Sequence, residues 1–281
     1  MENFHPDHLA DLRKSGLSDK TILAAGIATV VPGNIHKRLG FDPPTLRSMY
    51  EIPYGNGFSR YRCFYANGEN HPKYLQKRDS GNHLYVPPLA AGILADATTP
   101  LYITEGEKKA LKACQEGLPC VGLAGLWNWS NKGGELIPDF ENVVLTDRRV
   151  LIVPDNDYRK PDKNGYKKNL EQAVSRLAHA LVEKGAKVLI VELPDGSEKG
   201  LDDYLCSHTL DEFDQLQQID TSAPKTATNS KNPKTTISER LIELTLAEAE
   251  LFHGADSKAY ATIKKNGYPE TYPLRSRGFR A

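Results

Sequence analysis

The chain has 281 residues, enough for one large domain or two modest ones. Its 36 basic and 36 acidic residues cancel, so any attraction for nucleic acid has to come from a local patch. No apolar run approaches the ~20 residues of a helical bilayer span, and four cysteines without a C-x-x-C pair argue against a zinc ribbon.

Met1-Glu2-Asn3-Phe4-His5-Pro6 lacks the basic-then-apolar plan of a secretory signal. Cys63, Cys114, Cys120 and Cys206 read as reduced thiols, and a cytoplasmic location with no membrane partner is expected. Leu9, Leu12, Leu17, Ile22 and Leu23, with Gly16 and Gly26 as stops, predict a small helical hairpin whose second helix is capped by Ser18-Asp19. From Tyr50 to Pro88 aromatics, Gly and Asn alternate with basic residues in short runs, the pattern of β-hairpins.

From about Pro100 to Leu205 strands alternate with helices. Leu101–Thr104, Cys120–Leu123, Val150–Val153 and Lys187–Leu193 read as strands. Glu107–Gln115 reads as a helix, and Leu170, Ala173, Val174, Leu177 and Leu181 mark another, closed by Gly185. Such alternation predicts an α/β fold with a parallel sheet flanked by helices. Thr221 to Thr236 has the composition of a flexible linker. Thr236-Ile237-Ser238-Glu239 fits a capping box before a helix carrying Leu241, Ile242, Leu244 and Leu251. Ala259–Ile263 and Thr271–Leu274 flank Lys264-Lys265-Asn266-Gly267 as a hairpin. The expected organisation is an N-terminal helical and basic β region (1–99), an α/β domain (100–220), a linker (221–236) and a helix plus β-hairpin (237–281).

The chemistry is expected where apolar runs stop at acids. Pro100-Leu101-Tyr102-Ile103-Thr104 ends at Glu105, and Val150-Leu151-Ile152-Val153-Pro154 ends at Asp155, with Asp157 two residues on. In a parallel sheet such acids gather at the carboxyl edge of the strands. Gathered carboxylates repel unless a hard cation joins them, and Mg²⁺ prefers oxygen ligands while keeping waters that a phosphate can displace. Each signal has a plainer reading. Acids often open a helix to satisfy its dipole, Asp-x-Asp also suits a turn, and Asp202 and Asp203 also suit a helix cap. Lys108 and Lys109 face phosphate or are solvated helix lysines. Alternation along a strand puts Arg60 and Arg62 on one face and Tyr61 on the other. With Lys73 and Arg78 these arginines form either a phosphate-holding surface beside stacking aromatics or an ordinary solvated sheet face.

Thr104-Glu105-Gly106-Glu107, followed by Asp155-Asn156-Asp157 after a strand, resembles the Toprim domain, the metal-binding fold of bacterial-type primases, topoisomerases and some nucleases. Within that fold the chain resembles the primase-like family of plasmid, phage and integrated-element replication proteins, which opens with a stretch like Leu12-Arg13-Lys14-Ser15-Gly16-Leu17-Ser18. Its tail, Ala259 to Arg280, resembles the segment that leads into a helicase-like ATPase in such proteins. The resemblance implies catalytic roles for Glu105, Asp155 and Asp157. It implies Mg²⁺ or Mn²⁺ on these three and, through Gly200-Leu201-Asp202-Asp203, on Asp202. Arg60, Arg62, Lys73, Arg78, Lys108 and Lys109 would hold phosphates of single-stranded DNA and nucleotides. A helicase-type ATPase, in trans or in a longer homologous chain, is the implied protein partner. The function implied is primase-like nucleotidyl transfer in the replication of a mobile element; the same acids would also serve a Toprim nuclease, and the chain could equally be a non-catalytic DNA-binding or helicase-coupling module. No G-x-x-x-x-G-K-[ST] is present, so the chain is not itself a P-loop helicase.

Overall fold

A computed structural model of the chain describes residues 3–66, 71–131, 134–161, 169–221, 249–253, 259–265 and 268–273. The chain divides into two units, Met1–Pro224 and Lys225–Ala281. Among the described residues no helix is long and apolar enough to cross a membrane.

The first unit opens with α1 (Pro6–Lys14) and α2 (Asp19–Ala24). Pro6 and Asp7 suit the first turn of α1, and Arg13 and Lys14 suit its last. The Ser18 hydroxyl accepts a hydrogen bond from the Thr21 backbone N–H at 3.2 Å, capping α2 as expected. Gly16, between the helices, has φ +70°. β1 (Ala28–Thr29), α3 (Ile35–Leu39), β2 (Leu46–Pro53), β3 (Ser59–Tyr65) and β4 (Tyr74–Gln76) follow. The four strands form an antiparallel sheet in sequence order. Its two faces sort the side chains as the alternation requires. Met49, Tyr61 and Cys63 pack with Val30 and Leu39. Tyr50 and Ile52 join Leu12, Leu17 and Ile22 in a core shared with the rest of the unit.

The larger sheet is built from β5 (Leu84–Tyr85), β6 (Leu101–Glu105), β7 (Cys120–Leu123), β8 (Arg149–Val153), β9 (Lys187–Val191) and β10 (Gln218–Asp220). Its order is β10-β9-β8-β6-β7-β5. The four inner strands are parallel; β5 and β10 close the edges antiparallel. The helices are α4 (Pro88–Ala91), α5 (Glu107–Gln115), α6 (Leu170–Glu183), α7 (Leu201–Ser207) and α8 (Leu210–Asp214). The expected α/β class and its four parallel strands are thus present. Each face of the sheet has its own core. Ile103, Val150 and Ile152 pack with Val174 and Leu177 of α6. Tyr102, Leu151 and Val153 pack with Ala110 and Leu111 of α5, Leu201 of α7 and the N-terminal helices. Burial on both faces is why these strands read as unbroken apolar runs.

The N-terminal elements are bound to α5 by polar as well as apolar contacts. Gln115 accepts from the Ser18 backbone N–H at 2.8 Å and the Thr21 hydroxyl at 2.7 Å, and donates to Gly16 O at 2.9 Å. Glu107, only 2 % exposed, accepts hydrogen bonds from the Tyr54 hydroxyl and the Arg60 guanidinium, both at 2.7 Å. A buried ion pair is costly to break from one side because the remaining charge loses its partner.

The second unit shows a three-stranded antiparallel sheet, β11 (Ala249–His253), β12 (Ala259–Lys265) and β13 (Tyr268–Pro273). β12 and β13 pair as the expected hairpin, and the Thr262 and Thr271 hydroxyls bond across it at 2.8 Å. One expectation is corrected. Leu251, assigned by its spacing to a helix, lies in β11 opposite Ala261. The third strand supplies the extra ladder that a lone hairpin needs for stability. The capping box at Thr236, the helix positions Leu241, Ile242 and Leu244, and nearly all of the expected linker lie outside the described residues.

Two outcomes follow for stability. Glu107→Gln leaves Arg60 buried without a counter-charge and should cost roughly 3–5 kcal/mol in denaturant unfolding; Glu107→Met with Arg60→Met should recover much of that loss. His8 is fully buried, with its ring nitrogens 2.9 Å from the Thr29 and Ser48 hydroxyls. Burial, helped by His5, lowers its pKa from 6.5 to about 4. The folded state keeps His8 neutral while the unfolded chain takes up the proton. Stability is therefore full above pH 6.5 and falls as the pH drops towards 4, by up to roughly 1.4 kcal/mol per pH unit. His8→Gln should flatten this slope in unfolding measured across that range.

Candidate functional site

The order of the large sheet reverses between β6 and β8. From β6 the chain moves to β7 on one side, and from β8 it moves to β9 on the other. Open parallel sheets bind ligands in the crevice that such a reversal leaves at the carboxyl edge. Glu105 ends β6, and Asp155 and Asp157 follow the end of β8, so all three acids lie at this edge. Thr104 and Val153 are register partners, and the Thr104 hydroxyl donates to Val153 O at 2.9 Å, tying the two strand ends together.

Gly106 turns the chain from β6 into α5 with φ +98°, a conformation that favours glycine. Its N–H donates to Leu123 O at 2.7 Å. The turn passes so close to β7 that a Cβ on Gly122 would lie 2.9 Å from Gly106 O.

Asp155 is almost buried, and its charge is met by two lysines. Lys109 Nζ lies 2.5 Å from Asp155 Oδ1. Lys199 Nζ lies 3.7 Å from Asp155 Oδ2 and 3.1 Å from Asp157 Oδ2. Burial raises the pKa of Glu105; Asp155 and Asp157 push the same way, against the opposing fields of Lys109 and Lys199. Partial burial opposes the charge on Lys199, but its hydrogen bond to Asp157 and the fields of Asp155, Asp157 and Glu105 outweigh it and raise the Lys199 pKa. Asn156, between the aspartates, pins the facing loop. Its N–H donates to Lys199 O at 2.9 Å and its side-chain amide to Pro194 O at 2.9 Å and Glu198 O at 3.3 Å. Asp202 is buried in the first turn of α7.

Among the described residues no three Asp, Glu, His or Cys side chains are drawn together as a ready metal cage; lysine ammonium groups hold the carboxylate oxygens instead. The donor set still fits a hard divalent ion. Every candidate ligand atom is a carboxylate oxygen, and Lys109 and Lys199 show that these oxygens recruit positive charge. Glu105, Asp155 and Asp157, with Asp202, are the residues that would hold it.

The basic residues separate into two groups. Arg60 pairs with Glu107 and is 12 % exposed. Arg62 donates to Asp11 at 3.3 Å and to Cys63 O at 2.8 Å, and lies over the Phe64 and Tyr74 rings. Lys108 reaches Asp11 Oδ2 at 3.0 Å. These three hold the small sheet and α1 against α5. Lys73 and Arg78 are exposed, with Arg78 over the Phe41 ring at 5.0 Å. The sequence reading missed Lys199 and Asn156, although both flank acids it had singled out. It also missed a cleft of about 440 Å³ on the small sheet, lined by Lys37, Arg38, Phe58, Tyr61, Lys77 and His83 among others.

Residues 91–212 match a family model described as a domain of unknown function, DUF3854. An uncharacterized protein of Picosynechococcus sp. (strain ATCC 27264 / PCC 7002 / PR-6) is 30 % identical over 127 residues, which are 41 % of this chain and 12 % of that protein. The chain thus spans a small part of that relative. Among solved structures, a DNA primase domain from Pseudomonas aeruginosa superposes with a TM-score of 0.51 at 18 % identity, covering 75 % of this chain and 72 % of that one. The RNA polymerase domain of the Mycobacterium tuberculosis primase DnaG superposes with a TM-score of 0.52 at 11 % identity, covering 76 % of each. The α/β architecture of this chain is therefore similar to that of DNA primase domains.

Proposed function

We propose that the chain is a primase-like replication protein of a phage, plasmid or related element, carrying out nucleotidyl transfer on single-stranded DNA at a Toprim-type site. The observation that carries this reading is the position of Glu105, Asp155 and Asp157 at the same edge and at the reversal point of a sheet similar to that of DNA primase domains. Asp155 and Asp157 would hold Mg²⁺ or Mn²⁺, which supplies charge neutralisation at the phosphate oxygens. In the transfer, the primer 3′-hydroxyl oxygen bonds to the nucleotide α-phosphorus and the bond to pyrophosphate breaks. Glu105, whose pKa is raised by burial, takes up the hydroxyl proton. Lys199, half exposed beside the aspartates, is free to swing onto a phosphate. Lys73 and Arg78 contact the template backbone, while Arg60, Arg62 and Lys108 keep the small sheet in place beside α5. A cytoplasmic setting and coupling to a helicase-type ATPase complete the reading.

The test is incorporation of labelled nucleotides on single-stranded DNA with Mg²⁺ or Mn²⁺. The wild-type chain should extend or initiate a strand. Asp155→Asn and Glu105→Gln should each lower the rate by about 100-fold. Glu105→Gln should leave thermal unfolding unchanged, whereas Asp155→Asn, which takes the counter-charge from Lys109, should lower the unfolding temperature while the chain stays folded. Metal-dependent nicking without incorporation would assign the same acids to a nuclease. DNA binding that needs no metal, survives Asp155→Asn and comes without either activity would assign the chain to a non-catalytic module.

A further inference from the structure

The loop that leaves β7 holds one tryptophan in the core and one at the surface. Leu123, the register partner of Glu105, ends β7 at the carboxyl edge, and the loop starts there. Leu126 and Trp129 are buried in the core shared with α6. The Asn128 N–H donates to Gly125 O at 2.8 Å, Trp129 O accepts from the Ile137 N–H at 3.0 Å, and Ser130 O accepts from the Asn82 amide at 3.1 Å. Trp127 is therefore held outward on a fixed turn. It is 38 % exposed, belongs to no apolar cluster, and is the one aromatic ring among the exposed large apolar side chains of the described residues. Arg176 of α6 lies over this ring, with its guanidinium carbon 5.8 Å from the centroid. Arg176 is exposed and has no ion pair among the described residues. The other charged side chains of α6 are paired, Glu171 with Arg159 and Glu183 with His179. The residues one turn from Arg176 are Gln172, Ala173, His179 and Ala180, none of them a carboxylate.

We propose that Trp127 and Arg176 form a subsite for single-stranded DNA, in which the exposed part of the indole stacks on one base and the guanidinium holds an adjoining phosphate. This rests on the single-strand reading proposed above and adds to it a contact on the α6 side of the large sheet. Every base has a π-face, so such stacking tolerates any sequence. A ring already fixed by its turn loses little conformational freedom when a base settles on it. The guanidinium stacks on an aromatic face and pairs with phosphate at the same time, because its N–H donors lie in its own plane and point outward. A protein partner would also cover the ring, but it would have to bring a carboxylate to Arg176. A DNA strand carries a phosphate beside every base.

The test is binding of an oligothymidylate of about 15 nucleotides to the full chain, followed by tryptophan emission and by the anisotropy of an end-labelled oligomer. The chain has two tryptophans, so Trp127→Phe removes the exposed one and leaves buried Trp129 as background. The oligomer should quench the wild-type emission and shield it from acrylamide; Trp127→Phe should lose both responses. An abasic oligomer of the same length should produce neither. Trp127→Ala should bind the oligothymidylate about tenfold more weakly, and Trp127→Phe, which keeps a ring, should recover most of that loss. Arg176→Met should lower the slope of log affinity against log salt by about 0.7, the share of one phosphate on a single strand. Bound oligomer with wild-type emission and acrylamide access unchanged would overturn the subsite while leaving single-strand binding standing, and this measurement decides the matter if Trp127→Ala does not fold. Equal affinity in folded Trp127→Ala would overturn it in the same way, and an unchanged salt slope in Arg176→Met would overturn the role of Arg176. Self-association of the wild type that Trp127→Ala abolishes, without quenching by the oligomer, would assign the ring to a protein contact and overturn the subsite. No oligomer bound by the wild type or any variant would overturn the single-strand reading, and this inference with it.

Discussion

The turn from β6 into α5 is the constraint on which the rest of the first unit depends. Gly106 sends the chain out of the strand at a positive φ, and Gly122 lets the turn lie directly on β7. Two glutamates separated by this one residue part company. Glu105 stays at the open edge of the sheet, where Asp155 and Asp157 arrive from β8. Glu107 enters the core and binds Tyr54 and Arg60 of the small sheet. One turn therefore both places a site acid and anchors the N-terminal elements. Displacing it would disturb the two together.

The two sets of charges around this turn behave differently because they differ in access to water. The Glu107–Arg60–Tyr54 cluster is largely desolvated, so its members are lasting partners: removing one strands another in a medium that solvates it poorly. At the edge, Lys199 is half exposed and can trade a carboxylate for water or a phosphate at little cost. Lys109 lies between these extremes. It shares the carboxylate edge with the exchangeable lysine, yet it is packed against Gly200 like a core residue.

The arginines of β3 show how tertiary packing reassigns a polar pattern. Arg60 and Arg62 do lie on one face and Tyr61 on the other, as strand alternation requires. Alternation does not say what covers the face. Here α5 and α1 cover it and bring Glu107 and Asp11, so both guanidinium groups are consumed by internal pairing. Exposed positive charge is found instead at Lys73, Lys77 and Arg78 and around the cleft with Lys37 and Arg38.

The sequence by itself determined the elements whose signals are local. The buried strands show as runs of Val, Ile and Leu, α5 and α6 show as helical spacing, the latter closed by Gly185, and Ser18 shows as a cap, because these patterns depend on neighbours within a turn or two. It also determined that Glu105 ends one strand and that Asp155 and Asp157 follow the end of another. Only the tertiary structure decided the strand order that brings β6 beside β8, the recruitment of β5 and β10 to the sheet edges, and the pairing of Leu251 in a strand. It also decided that Lys109 and Lys199, from α5 and the loop before α7, meet the aspartates. These contacts join residues tens of positions apart, and their energy comes from desolvation and charge pairing that exist only once the sheet has closed its two cores.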